Sequence, residues 1–561
     1  MNKKIRVGLL IDDFGMTAWE YRMLERIVSG DFAEIVLLVK RKYSPVVPGP
    51  FAERLKEKLE TGFFKVYTKI EPRLYKTDTN AFETTDTRTL LEKVPLLEVE
   101  CIEKKFSDYL KEDDLKQIHS FEVDVFLRLG FRILRGAILK TARLGVWSYH
   151  HGDNRHYRGG PAGHWEVLKR DRTAGSVLQI LTEDLDGGEV LYRSWSSVDV
   201  SATRTINSMF WKTALFVPRM LKELHRLGES SFMEKIRKEN EPFQFYSGRN
   251  YTTPRNGEFL RLIIPFFMNR ILHKCWKMFN YHQWVLLYSF TKTKQPATTA
   301  YRYKRLLPPG DRYWADPCVI EEKGKYYMFF EEVIFQKVER GHISVAEFNE
   351  KGMVSAPVRV LERPYHLSYP FVFRYENKYY MIPESEENAT IELYESVSFP
   401  FEWKFKMNLM ENVKAVDTTL LFREGKVWLF TNIRDIEGAS YSEELFLFSA
   451  DTLFTTSWKE HPANPIVSDA RSSRPAGRIF QYNNRYYRPS QDCSIRYGYA
   501  TVFNEIRVLN EDVYEEHPVS GITPDWANDL YATHTFSSEG GMSAIDAIIK
   551  RRKGIMKFFG R

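Results

Sequence analysis

One short motif recurs through the second half of the chain, and it constrains the fold more tightly than any other feature. It reads Lys325-Tyr326-Tyr327-Met328-Phe329-Phe330-Glu331-Glu332, then Lys378-Tyr379-Tyr380-Met381-Ile382-Pro383-Glu384-Ser385. Lys426-Val427-Trp428-Leu429-Phe430-Thr431-Asn432 and Arg485-Tyr486-Tyr487-Arg488-Pro489-Ser490-Gln491-Asp492 complete the set. The period is roughly 50 residues, within the range of propeller blades. Each copy follows a strand and a turn, beginning at Asp316-Pro317-Cys318, Tyr369-Pro370-Phe371, Asp417-Thr418-Thr419 and Arg474-Pro475-Ala476. The pattern predicts an all-β five-bladed propeller over residues 284–561. Four blades carry the motif, and the fifth is expected to be closed by Gln283–Phe290 pairing with the region around His534-Thr535-Phe536.

The first 240 residues have a different texture. Short apolar runs alternate with helical patterns, which is the signature of an α/β domain with a largely parallel sheet. Buried strands are expected at Ile5–Ile11, Ile35–Val39 and Val123–Leu129, with a helix from about Thr17 to Val28 and more helix over residues 200–240. The chain lacks GxGxxG, so a dinucleotide fingerprint is missing. Residues 241–283 are basic, aromatic and poorly periodic and read as a connector, in which Pro265 is expected to interrupt any continuous helix.

Composition narrows the function classes. A net charge of +7 on 561 residues, with both signs interleaved and no sustained basic stripe, does not suggest a nucleic-acid partner. Aromatic residues make up 15% of the chain, a level that suits packed β-structure or carbohydrate-facing surfaces. The four cysteines, Cys101, Cys275, Cys318 and Cys493, are far apart and form no CxxC pair, so they read as reduced thiols rather than a disulfide framework or zinc site. The amino-terminal apolar run is stopped by Asp12 and Asp13 and reads as a first strand, not a signal peptide. No apolar window reaches bilayer-spanning length. A cytoplasmic protein is the expectation; the apolar residues of 259–279 are expected to pack between the two domains or, with Arg261, Arg270, Lys274 and Lys277, to meet anionic lipid at the inner membrane.

A stretch from Gly145 to Asp186 sets a histidine, a glycine turn and an acid at suggestive intervals. It runs Gly-Val-Trp-Ser-Tyr-His-His, then Tyr157-Arg158-Gly159, then Thr173-Ala174-Gly175, then Leu185-Asp186-Gly187-Gly188. A strand-end histidine can polarise or protonate a developing oxyanion, and a nearby aspartate can orient its ring. The stretch resembles the core of the folate-dependent formyltransferases. In register on Tyr157-Arg158-Gly159, the resemblance places the family's catalytic histidine at His150 and its aspartate at Asp186. The family's asparagine falls on Ser148, which can donate one hydrogen bond. Asn154 and Arg158 are the implied substrate-binding residues, and 10-formyltetrahydrofolate is the implied one-carbon donor. No metal is implied.

The repeat half resembles the propellers of glycoside hydrolase families 43 and 32. It is more similar to the amino-terminal region of glucosamine inositolphosphorylceramide transferases and their bacterial relatives. Arg312-Tyr313-Trp314-Ala315-Asp316-Pro317, Gly341-His342-Ile343-Ser344 and Tyr365-His366-Leu367-Ser368-Tyr369-Pro370 carry the likeness with the later copies of the motif. The hydrolase pattern implies Asp316 as base and Asp417 as the aspartate that tunes acidity. Its acid position falls near Arg474, so Glu384 or Asp492 is the implied replacement. Asp316, Tyr369, Asp417 and Arg474 are expected to converge on a central channel, where carboxylates mixed with arginine suit a sugar phosphate or nucleotide sugar.

Together these readings describe a transferase of bacterial cell-surface polysaccharide biosynthesis. A formyltransferase-like domain would modify an amino sugar or activated sugar, and a propeller would bind or transfer the glycan. The alternatives are a glycosyltransferase or glycan-processing enzyme with catalysis in the propeller, and a non-catalytic glycan-binding scaffold. The expected partner is a sugar nucleotide or glycan acceptor.

Overall fold

A strand apolar on both faces must be covered on both, and Ile5–Ile11, apolar but for Arg6, shows how the first part of the chain meets that demand. Val7, Leu9 and Ile11 enter one core while Leu10 enters a second on the other side of the sheet. Val125 and Leu127 are split from Phe126 in the same way, and Trp147 from Val146. Gly8 makes room for this packing, since a Cβ there would lie 2.3 Å from the Phe126 ring. The computed structural model describes residues 3–42, 51–104, 106–184, 187–242, 245–293, 295–335 and 339–553. The chain divides into two compact units, Met1–Phe267 with Ile436–Ala439, and Met268–Asp435 with Ser440–Arg561.

The first unit is α/β. Its seven-stranded sheet runs Glu189–Ser197, Thr173–Ile180, Val146–His150, Val125–Arg128, Ile5–Ile11, Ala33–Arg41, Leu96–Val99. The last five strands are parallel, and the first two are joined antiparallel. The expected helix after the first strand is Ala18–Val28, at whose start Thr17 N–H donates to Glu20 Oε2 at 2.9 Å. Residues 200–240 form three helices, Ala202–Thr213, Phe216–Leu227 and Glu229–Asn240.

Residues 241–267 depart from the expected connector. Asn250–Tyr251 pairs in parallel with Arg158–Gly159. A 24-residue helix, Asn256–Phe279, then runs straight through Pro265. The proline removes one N–H donor, but burial of Phe259, Ile263 and Phe266 against Phe64, Val167 and Leu168 holds the turns around it. Tertiary packing therefore wins over the local breaker, and the first unit extends to Phe267.

The second unit is mostly β. Among the described residues its strands form five antiparallel sheets, four beginning at Arg312–Glu322, Ser368–Tyr375, Ala415–Arg423 and Phe480–Tyr482. The fifth combines Lys304–Leu306, Asn280–Phe290, Met542–Arg552 and Leu530–Ala532, with Phe536–Glu539 also on Met542–Arg552. Residues alternate between neighbouring cores: Ile320 packs with Val372 and Met381 of the second sheet, and Val319 with Leu286 and Ala544 of the fifth. Phe371 and Ile382 pack with Leu420 and Leu429, and Leu421 and Trp428 with Ile506 and Leu509. Phe480 and Phe503 meet Phe536 and Ile545, so the fourth sheet shares a core with the fifth.

The partner of Gln283–Phe290 differs from expectation. Gln283 stands opposite Ile549 and Phe290 opposite Met542. Gly540 and Gly541, at φ +61° and +97°, reverse the chain after Phe536–Glu539 and lay that strand on the other edge of Met542–Arg552. The first and last strands of the unit thus pair with each other, a connection that brings residues some 270 positions apart into one ladder.

Two glycines test this packing. Gly477, at φ +123°, would bring a Cβ within 1.9 Å of the Phe536 carbonyl oxygen, whereas Gly425, at φ +75°, faces open space. Both alanine variants incur the left-handed backbone penalty of about 1–2 kcal/mol, and only Gly477→Ala adds a backbone collision. Chemical denaturation of the two variants should show Gly477→Ala as the more destabilised by at least about 1 kcal/mol; equal losses would contradict this packing of the fourth sheet's entry against the fifth.

Candidate functional site

Three strands of the second unit carry the same irregularity at the same place. The ladder slips between Ala315 and Cys318, between Ser368 and Phe371, and between Val416 and Thr419. Asp316, Tyr369 and Asp417 sit in these bulges at φ +53°, +42° and +52°. Non-glycine residues rarely adopt that conformation, and such bulges re-aim a side chain out of the ladder. Each bulge opens a strand that leads into one copy of the sequence repeat, so one local device is used three times.

The re-aimed groups meet buried partners. Arg474 donates from Nε to Asp417 Oδ2 at 2.6 Å and from Nη2 to Asp417 Oδ1 at 3.3 Å. The same Nη2 reaches Glu384 Oε2 at 3.4 Å. Gln491 Nε2 donates to Asp417 Oδ2 at 2.8 Å, and the Arg474 guanidinium lies 4.8 Å from the Tyr497 ring centre. Asp316 accepts from Thr535 Oγ1 at 2.8 Å and from Tyr369 N–H at 3.3 Å. Tyr369 OH is bonded to Thr419 Oγ1 at 2.8 Å and accepts from Gly477 N–H at 2.7 Å. His534 Nδ1 lies 2.6 Å from Asp546 Oδ2, its Nε2 3.8 Å from Asp316 Oδ1, and its ring stacks on Trp284 at 4.0 Å.

This environment separates the protonation states. Burial and then the Asp417 carboxylate, with which it shares a hydrogen bond, push Glu384 well above the ordinary carboxyl range in spite of Arg474. Burial pushes Asp316 up to about 7 against the pull of His534. For His534, burial favours the neutral ring, but Asp546 and Asp316 overcome it and raise the imidazole to about 9. Asp546, although buried, is held low by the same histidine. Asp316, His534 and Asp546 lie close enough to surround a cation. With His534 protonated, however, the trio reads as a compensated charge cluster rather than a ligand set.

The structure thus brings together Asp316, Tyr369, Glu384, Asp417 and Arg474 of the residues singled out from sequence. Asp492 is placed otherwise: its Oδ1 accepts from Ser494 N–H at 2.9 Å and closes a local turn. Its neighbour Gln491 takes the position facing Asp417, because side chains alternate along the strand. Aligning the repeats shows why. Counting five residues from Tyr326, Tyr379, Val427 and Tyr486 gives Glu331, Glu384, Asn432 and Gln491, so Gln491 is the repeat equivalent of Glu384. Trp284, Tyr497, His534 and Asp546 lie outside the repeated motif and carry no such signal.

In the first unit, strand Val146–His150 puts Ser148 and His150 on one face. Ser148 Oγ accepts from Arg128 Nε at 3.0 Å. His150 Nε2–H donates to the Tyr157 carbonyl at 2.8 Å, which fixes that tautomer since a carbonyl can only accept. Asp186 lies outside the described residues. Arg158 Nε donates to the Asn154 carbonyl at 3.2 Å, and its guanidinium stacks 4.5 Å from the Tyr246 ring centre. Asn154 and Arg158 line a cavity of about 360 Å³ together with Arg155, Arg193 and Asn240.

Residues 282–528 match the family model described as glucosamine inositolphosphorylceramide transferase 1, N-terminal. Glucosamine inositolphosphorylceramide transferase 1 of Arabidopsis thaliana is 34% identical over 207 residues, covering 36% of this chain and 27% of the relative. The chain therefore spans about a quarter of the length of that relative. Methionyl-tRNA formyltransferase of Prochlorococcus marinus (strain MIT 9215) is 25% identical over 122 residues, 22% of this chain and 35% of that protein. Among solved structures, the catalytic domain of Coprinopsis cinerea GH62 alpha-L-arabinofuranosidase aligns at 13% identity and a TM-score of 0.30, over 45% of this chain and 82% of that one.

The shifted groups give a pH signature of definite sign. His534 rises from 6.5 to about 9 on folding, so its stabilising charge is fully present below about 6.5 and is lost as pH rises through about 9. Asp316 rises from 3.8 to about 7, so its proton also favours the folded state at low pH and stops doing so as pH passes about 7. The unfolding midpoint of the second unit should fall as pH is raised from the slightly acid range to the alkaline one, and His534→Gln should remove the upper part of that fall. A His534→Gln profile superimposable on the native one would show that the ring is not charged.

Proposed function

We propose that residues 280–552 form a closed five-bladed propeller whose centre catalyses glycosyl transfer, and that the chain is a transferase acting on a sugar or glycan. One observation carries the reading: Glu384, which burial and Asp417 push well above the ordinary carboxyl range, shares the Arg474 guanidinium with Asp417, to which Gln491 also donates. A buried carboxyl group with raised proton affinity, set among other carboxyl groups, is an arrangement that acid–base chemistry at a glycosidic bond uses. Glu384 would give its proton to the leaving-group oxygen. Asp316, with an affinity for protons near neutrality, would take the proton of the acceptor hydroxyl. Tyr497 and Trp284 supply aromatic faces for a sugar ring. The match of residues 282–528 to a family named for a glucosamine transferase supports a sugar substrate.

The first unit has a candidate site of its own for a phosphate group. Arg155, Arg158 and Arg193 line its cavity, and arginine forks suit phosphate oxygens. A second reading, formyl transfer from 10-formyltetrahydrofolate to an amino sugar, is favoured by the shared face of Ser148 and His150 at the end of their strand. Its test is formyl transfer to an amino sugar nucleotide by the full chain and its loss in His150→Ala; no transfer by the native chain would end that reading. Either chemistry would fit cell-surface glycan assembly.

Glycosyl transfer is tested by screening the full chain against a panel of nucleotide sugars with simple glycoside acceptors, following free nucleotide. Glu384→Gln should lower turnover by about 10²–10⁴-fold, the usual contribution of a general acid, while leaving KM within a few-fold. Asp417→Asn should lose both binding and turnover, and the exposed Asp451, paired with Lys426 at 2.9 Å, should tolerate Asn. Native turnover in Glu384→Gln would remove the acid from the mechanism.

A further inference from the structure

Helix Phe51–Leu74 exposes a stripe of large apolar residues that the packing of the first unit does not use. Phe51, Leu55, Leu59, Phe63, Val66, Ile70 and Leu74 are between 44% and 77% exposed. At about 100° per residue they fall within an arc of about 140°. The face that packs is a different one: Thr61, Phe64 and Glu71 are buried, with Phe64 against Phe259. Glu71 is bonded to Ser201 and Thr203. Charge is sorted about the stripe. Lys58, Lys65 and Lys69 border one edge and Lys56 the other, while Glu53, Glu57 and Glu60 fall on the far side of the helix.

Helix Asn256–Phe279 lies against it and repeats the design. Asn256 accepts from Phe63 N–H at 3.0 Å and donates to the Leu59 carbonyl at 2.5 Å, fastening the two helices. Its own packed residues are Phe259, Ile263 and Phe266. Within the first unit, its Ile264 and Phe267 are 55% and 43% exposed. Arg261 lies on the same part of this helix, about 60° from Ile264.

A contiguous apolar face of this extent on a folded unit marks an interaction surface. An amphipathic helix with aromatic and aliphatic residues on one side and lysine at the margins has the form that lies in the headgroup region of a bilayer. Among the described residues no helix is long and apolar enough to cross a membrane, so the contact would be with the surface. The basic margins complement anionic headgroups, and the acids of Phe51–Leu74 sit where they would face away from them. We propose that these two helices dock the protein on an anionic lipid bilayer, with the stripe Phe51–Leu74 as the principal insertion face. The proposal is independent of the chemistry assigned to the second unit.

Sedimentation of the full chain with vesicles tests it, using phosphatidylglycerol mixed with phosphatidylcholine against phosphatidylcholine alone. The native chain should bind the anionic vesicles in a salt-sensitive way and the neutral ones at least about tenfold less. The combined change Phe63→Ser, Val66→Ser and Ile70→Ser should abolish binding, as these side chains are exposed and the fold does not need them. The combined change Lys58→Gln, Lys65→Gln and Lys69→Gln should weaken binding about tenfold or more with circular dichroism unchanged. Failure of the native chain to bind, or binding indifferent to both sets of changes, would overturn the proposal. So would light scattering that shows a native dimer converted to monomer by the serine variant, since a second copy would then occupy the face.

Discussion

Arg474 and Asp417 hold each other in the interior of the second unit, and much of that unit's design follows from keeping them there. A buried ion pair stripped of one partner costs about 3–5 kcal/mol, because the remaining charge has no water to turn to. Here the carboxylate is compensated by two guanidinium contacts and by Gln491. Glu384 shares the same guanidinium only through a 3.4 Å contact, and burial and the Asp417 carboxylate push it well above the ordinary carboxyl range. The Asp316–His534–Asp546 cluster solves the same problem with an imidazolium. Two carboxylates share one cation there, and the less well paired of them, Asp316, is the one pushed towards neutrality. Both clusters therefore leave one group poised to exchange a proton, and in each case the poised group belongs to a strand leading into or within the repeat.

The bulges explain how such a site can be built from strands. A regular strand would point the side chains of Asp316, Tyr369 and Asp417 into a ladder face already filled by apolar neighbours. Placing them at positive φ costs backbone strain of about 1–3 kcal/mol each, a cost typical of functional positions. The surrounding sheets supply the rigidity that holds the strain, since each shares an apolar core with the next.

The sequence made the strands of the second half legible because its motif couples two signals, an alternating aromatic strand and a polar opening residue. Asp316, Tyr369, Asp417 and Arg474 could be read at once from their place before each copy. Asp492 was read in place of Gln491 because motif position alone does not specify which face of a strand a residue takes; the alignment of Glu384 with Gln491 does. His534 and Asp546 stayed hidden as site residues, since the fifth sheet is assembled from the two ends of the unit and has no copy of the motif. In the first half, the strands at Ile5–Ile11, Ala33–Arg41 and Val125–Arg128 were plain from their short apolar runs. The helix through Pro265 was not, because its stability comes from Phe259, Ile263 and Phe266 packing against distant residues rather than from local propensity. The exposed stripe of Phe51–Leu74 was overlooked for a related reason: an apolar periodicity looks the same in sequence whether it faces a core or solvent.

The account rests on Glu384 carrying a proton at neutral pH. Infrared difference spectroscopy between the native chain and Glu384→Gln, recorded across a pH titration, observes that carboxyl group directly. A protonated carbonyl band present at neutral pH, lost only on alkaline titration and missing from the variant, is the predicted result. An ionised carboxylate already in the mildly acid range would contradict the assignment of Glu384 as the acid and with it the proposed chemistry of the second unit.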